Sequence, residues 1–185
     1  MINFELNSNH FLSESFRELG IKTFSEAMDL IKNLPYGRNS SREDFSLVLK
    51  EHKGTCSSKH ALLKSLADEN NHFEVKLMLG IFKMNGTNTP KIKSVLEKHK
   101  IDYLPEAHNF LKIEEEIFDC TNSHSSELNF RKDLMEVYEI TPEDVIQKKI
   151  EIHQEFLKNW CQKNDFNFQE IWKIRENCIS VLSEN

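Results

Sequence analysis

The sequence predicts an α+β fold, with helices at both ends of the chain around a small antiparallel sheet. Three patterns carry that expectation. Apolar residues recur at helical spacing over 8–33 and again from 141 onward, a partly alternating apolar stretch covers 75–84 and closes on Asn85-Gly86, and two short strand-like segments, 109–113 and 117–121, follow each other closely enough to be a hairpin.

The first helical stretch contains Phe11, Phe16 and Leu19, then Phe24, Ala27, Met28, Ile31 and Leu34. Gly20 followed by Thr23 predicts one helix ending and a second being capped, and Pro35 closes the pair. Ser41 with Asp44 three places on predicts another capped start, whose apolar stripe of Phe45, Val48 and Leu49 runs up to Lys53-Gly54. Beyond Gly54, the positions Cys56, Ala61, Leu62, Leu63, Leu66 and Ala67 wrap more than half the circumference of a helix, which predicts a central one. The strand over 75–84 carries Lys76 and Lys83 as its only charges. Pro90 suits the first turn of a short helix over 90–99, with Ile92, Val95 and Leu96 on one face. Thr141-Pro142-Glu143-Asp144 predicts a capped helix start, with Val145, Ile146, Ile150, Ile152, Phe156, Leu157 and Trp160 burying one side. A last helix over 168–182 turns Ile171, Trp172, Ile174, Ile179 and Leu182 inward.

At 185 residues, with 38% apolar and 13 Phe among them, the chain can bury the core of a single domain spanning 1–185. A core over about 36–121 is expected, flanked by the helices of 8–33 and 141–183. A net charge of −6 leaves no cationic excess for phosphates or anionic lipid, so neither nucleic acid nor membrane is an expected partner. Met1-Ile2-Asn3-Phe4-Glu5 lacks the basic and apolar run of a leader, and the expected location is cytoplasmic. There the four cysteines, at 56, 120, 161 and 178, are free thiols.

Among these thiols Cys56 has a distinctive setting. Gly54-Thr55-Cys56-Ser57-Ser58 places it where a loop enters a helix, and the exposed amides and positive dipole end there favour thiolate over thiol. The same amides could receive the oxyanion of a tetrahedral intermediate. By itself this pattern fits a small buried hydrophobe better than a nucleophile, because free Cys is among the most buried residue types. His108 and Asp119 change the balance. If the hairpin turn is centred between Ile113 and Glu114, paired residue numbers sum to 227, and His108 and Asp119 then face each other on one side of the sheet. An acid beside an imidazole sets its tautomer and stabilises its cation, leaving the other ring nitrogen for the thiol.

Helix-start Cys, then strand His, then strand Asp resembles the transglutaminase-like branch of the papain-like cysteine enzymes. The matching residues are Gly54-Thr55-Cys56-Ser57 with Ala61-Leu62-Leu63 behind them, Ala107-His108-Asn109-Phe110, and Asp119-Cys120-Thr121. Phe110 fits the aromatic that usually follows the His, whereas Cys120 stands where the family usually has Pro. The resemblance covers roughly 36–121. It implies a central helix carrying the Cys, packed on a small sheet carrying His and Asp. It also implies acyl transfer or hydrolysis at a protein, peptide or other amide substrate through a thioester on Cys56, with Cys56, His108 and Asp119 as catalytic residues and no cofactor. Tyr36 and Asn39 stand upstream where a second oxyanion donor would be found. The alternative is a non-catalytic member of the family that binds a partner.

Other chemistry-bearing residues have plainer expectations. Cys56 and His60 are four apart, yet no second ligand pair follows, so no metal is expected and His60 is read as solvated. His10, His52, His72, His99, His124 and His153 are expected at the surface, Cys161 and Cys178 in the core, and Cys120 on the strand face opposite Asp119. Glu114-Glu115-Glu116 is expected to be a solvated hairpin tip.

Overall fold

The computed structural model describes residues 3–183, so Met1 and Ile2 of the stretch read for a leader lie outside it. Strands β1 (Val75–Asn85), β2 (Tyr103–Ile113), β3 (Glu116–Phe118) and β4 (Leu134–Ile140) form one antiparallel sheet in the order β3-β2-β1-β4. Around it lie α1 (Phe11–Glu18), α2 (Phe24–Asn33), α3 (Leu47–Lys50), α4 (Cys56–Glu69), α5 (Lys93–His99), α6 (Lys148–Lys163) and α7 (Phe168–Ser183). The α+β class is therefore as expected. Among the described residues no helix is long and apolar enough to cross a membrane.

Alternation along β1 and β2 sorts the core into two layers. On one face Val75, Leu77, Leu79 and Ile81 join Ala107, Leu111 and Ile113 against α4, with α1 and α2 behind it. On the other face Phe82, Met84, Leu104 and Phe110 meet Leu157 and Trp160 of α6 and Ile171 and Cys178 of α7. Each such side chain contributes about 1.5–3 kcal/mol when fully buried. Burial on both faces also explains why β1 reads as an almost unbroken apolar run.

Local signals placed several boundaries correctly. Thr23 and Glu26 form a reciprocal capping box at the start of α2, and Gly20 follows α1 at φ +81°, where a Cβ would be strained. The same device starts α4, where Thr55 accepts from the Ser58 amide and Ser58 accepts from the Thr55 amide. Gly54 is required by space as much as by the turn, since an added Cβ would lie 2.8 Å from Lys59 Cγ and 3.0 Å from Ser58 Oγ.

Four expectations are corrected. The helix expected from Ser41 forms only over Leu47–Lys50, because Ser41 Oγ accepts from the Glu43 amide and Asp44 Oδ1 from the Ser46 amide, which closes local turns instead. The helix expected from Thr141 begins as a 3₁₀ turn, Glu143–Val145, and α6 starts only at Lys148. Strand β4 lies in a stretch for which the pattern gave no element. It is an edge strand paired with β1, exposed along most of its length, so it lacks a clean alternation. Finally, the hairpin pairs Leu111 with Phe118 and Ile113 with Glu116, a sum of 229 in place of 227, because the two-residue turn is Glu114-Glu115 with Glu114 at φ +53°. A two-residue shift of partner keeps every side chain on its expected face.

Candidate active site

Strand β3 pairs only with Leu111–Ile113, so the edge of β2 before Leu111 is open. Two elements cover it. The N-terminus of α4 brings Cys56 there, where the Asn109 amide favours its thiolate, and α6 brings His153, whose Nε2–H donates to the Pro105 carbonyl at 2.9 Å. The first-turn amides of Cys56 and Ser57 have no acceptor within the helix.

His108 and Asp119 share the sheet face predicted for them. Asp119 follows the last residue of β3, which ends at Phe118 and not at the expected 121, and His108 Nε2–H donates to Asp119 Oδ2 at 3.0 Å. The His108 ring also acts on the Cys56 sulfur, each favouring the other's charged form. Asp119 is held in turn, because its Oδ1 accepts the Thr121 amide at 3.0 Å and the Thr121 hydroxyl at 2.6 Å. Phe82 and Phe130 pack edgewise against the His108 ring.

The charges of this group follow from its neighbours. Burial pushes the Cys56 thiol up, but the Lys149 ammonium, the His108 imidazole and the Asn109 amide outweigh it, and the pKa is lowered to about 6. Burial opposes the His108 cation, yet Asp119 and the sulfur raise it to about 10. Asp119, despite burial, is held well below the carboxylate range, chiefly by His108. Cys56 and His108 are thus a thiolate and an imidazolium at neutral pH.

No family profile, no curated protein and no solved structure matches this chain.

Several participants escaped the sequence reading. Lys149 of α6 lies beside the thiolate, with Nζ 3.7 Å from Cys56 Sγ and 2.7 Å from Ser57 Oγ. Its signal was present, because Lys149, His153, Leu157 and Trp160 are spaced four, four and three, one stripe of α6 that turns inward. His153 is accordingly buried, which corrects its surface placement. His60, expected to be solvated, is wholly buried: Nδ1–H donates to the Cys56 carbonyl at 2.7 Å and Nε2 accepts the Cys120 amide at 2.8 Å. Burial lowers its pKa to about 4, so the ring is neutral. Lys59, also fully buried, donates to the Leu34 and Thr121 carbonyls at 2.6 and 2.7 Å. The pattern that made α4 a central helix left no solvated face for either residue.

The two upstream oxyanion candidates part company. Tyr36 lines the cavities beside Cys56, and burial raises its hydroxyl pKa, so it stays a neutral donor. Asn39 is corrected: its amide nitrogen donates to Glu51 Oε2 and to the Lys53 carbonyl while its oxygen accepts from Ser58 Oγ, so it braces the α4 cap and has no hydrogen left for an oxyanion. Cys120, Cys161 and Cys178 are buried as expected, and burial raises the Cys120 pKa to about 12. Among the described residues no three or more His, Cys, Asp or Glu side chains form a group that could hold a metal.

Cys56 lies between two cavities, of about 360 and 570 Å³. Both are also lined by Tyr36, Glu106, Ala107 and Ile179 of α7. The Arg175 guanidinium ties α7 to the sheet through Glu106 at 2.8 and 2.5 Å.

Proposed function

We propose that the protein is a transglutaminase-like cysteine hydrolase or acyltransferase that acts on a peptide or other amide bond through a thioester on Cys56. The observation that carries this reading is the His108 ring, which bridges Cys56 and Asp119 and holds a thiolate ready in a buried site. In the first step Cys56 Sγ forms a bond to the carbonyl carbon, and the carbonyl π pair moves onto oxygen. The amides of the α4 N-terminus receive that oxyanion. As the intermediate collapses the C–N bond breaks, and the His108 imidazolium gives its proton to the leaving amine. His108, now neutral, takes a proton from water or an acceptor amine, which attacks the thioester and frees Cys56. The two cavities that Cys56 lines offer room for a substrate that extends beyond the scissile bond. The four free thiols agree with a reducing, cytoplasmic setting.

A binding module without turnover is the second reading. It is favoured by the burial of Cys56, whose side chain is nearly covered. The pH profile of iodoacetamide alkylation, followed cysteine by cysteine, tests the catalytic reading. Cys56 is expected to label with an inflection near pH 6, moving upward in His108→Ala. Labelling only in the range of an ordinary thiol, about pH 8.5, would sink it.

A further inference from the structure

We propose that Lys149 is a catalytic residue: its ammonium holds the Cys56 thiolate in the resting site and becomes the side-chain donor to the oxyanion when sulfur attacks a carbonyl. The inference rests on the acyl-transfer reading above. It starts from an anomaly of burial. Lys149 is 9% exposed and, among the described residues, forms no ion pair with a carboxylate at contact distance, although the buried Glu106 carboxylate feels its charge at longer range. A buried ammonium needs compensation, and here its partners are Ser57 Oγ at 2.7 Å and the Cys56 sulfur at 3.7 Å.

The ammonium is placed by a chain of hydrogen bonds anchored in the sheet. Asn109, fully buried, donates to the Met78 carbonyl at 3.0 Å and accepts from Ser57 Oγ at 3.1 Å, and that hydroxyl in turn accepts from Lys149. Two of the three N–H bonds are thereby directed at Ser57 and Cys56, and the third has no partner among the described residues. Lys149 also lines the cavity of about 360 Å³ that opens beside Cys56. An oxyanion formed on attack lies one C–S and one C–O bond from the sulfur, within reach of a donor that already touches the sulfur. As charge passes from sulfur to oxygen, the ammonium can follow it with little displacement, which is the preorganisation that stabilises the tetrahedral state. Tyr36 lines the same cavity as a neutral donor, whereas Lys149 brings a full charge to the developing anion.

Two reactions of Cys56 separate this role from simple thiolate stabilisation. Iodoacetamide alkylation displaces iodide at a saturated carbon and forms no oxyanion. Acetylation by p-nitrophenyl acetate passes through one: sulfur bonds to the carbonyl carbon, the ester C–O bond breaks, and its electron pair leaves as p-nitrophenolate. Both rates are measured on the full chain and expressed per thiolate, using the alkylation pH profile. In Lys149→Met the acetylation burst is expected to slow about 100-fold, the effect of deleting one oxyanion donor, while alkylation per thiolate changes less than about threefold. Ser57→Ala removes only the tether and should give a smaller loss in the same order, so a Lys149→Met chain that fails to fold does not end the test. Equal losses in the two reactions overturn the assignment of Lys149 and leave the thioester reading standing. A wild-type protein with no burst at Cys56 overturns both.

Discussion

A thiolate and an imidazolium that stabilise each other titrate outside their usual ranges, and the direction of each shift sets a pH window. The Cys56 pKa is depressed to about 6, so its contribution to stability is complete above the unfolded thiol range and is lost as pH falls through about 6. The His108 pKa is raised to about 10, so its contribution is complete below about 6.5 and is lost as pH rises through about 10. The ion pair is therefore the resting form between about pH 6 and 10. Asp119 sustains it from behind. In Asp119→Asn the His108 cation loses its chief support, and the alkylation inflection of Cys56 is expected to rise above 6; an unchanged inflection would show that Asp119 does not sustain the thiolate. His60 gives a separate prediction. Its folded pKa of about 4 lies below the unfolded value, so the unfolded chain takes up the proton first. Stability should fall as pH drops from about 6.5 to 4, by roughly 3 kcal/mol from this group, and urea midpoints for His60→Gln should lack that part of the decline.

The start of α4 is the element on which the site depends. Thr55 and Ser58 cap each other there, and Asn39 accepts the Ser58 hydroxyl, so the amides beside Cys56 are held by a loop whose own bonds are made. Thr55→Ala is expected to cost about 1 kcal/mol, read from chemical denaturation. Gly54→Ala is expected to cost more, about 1–3 kcal/mol, because the new methyl would meet Lys59, Ser58 and Val48 within 3.1 Å. A Gly54→Ala protein as stable as wild type would mean that this loop gives way more easily than its contacts imply. The hairpin shows the converse. Its strands and turn were visible in the residue pattern, but the pairing was legible only to within two residues. Two successive acids at the tip, Glu114 and Glu115, do not announce which pair makes the turn, and Glu114 enters left-handed backbone that usually favours Gly or Asn.

Across the whole molecule, α7 closes the side of the sheet on which the site opens. Arg175 and Glu106 form a bidentate pair with little exposure, and Arg38 reaches Glu176 of the same helix at 2.9 Å. Removing one partner of the buried pair leaves a charge without compensation, so Arg175→Ala is expected to lose about 3–5 kcal/mol. The double variant Arg175→Met with Glu106→Gln should lose less than Arg175→Ala. Thermal unfolding checks the ordering, and a double variant weaker than the single would contradict it.

By itself the sequence determined the α+β class, the helix that begins at Cys56, the strand of 75–84, and the placement of His108 and Asp119 on one face. Each of these depends on periodicity, capping or alternation over a few neighbouring residues, and side-chain parity survives a two-residue change of register. The tertiary structure alone decided what surrounds the sulfur. Lys149 meets Cys56 across 93 residues and His60 meets the Cys120 amide across 60, and no local pattern encodes which distant side chain fills the open edge of β2. A polar residue on an inward stripe announces that it will be buried, but its partner is chosen only when the helices dock.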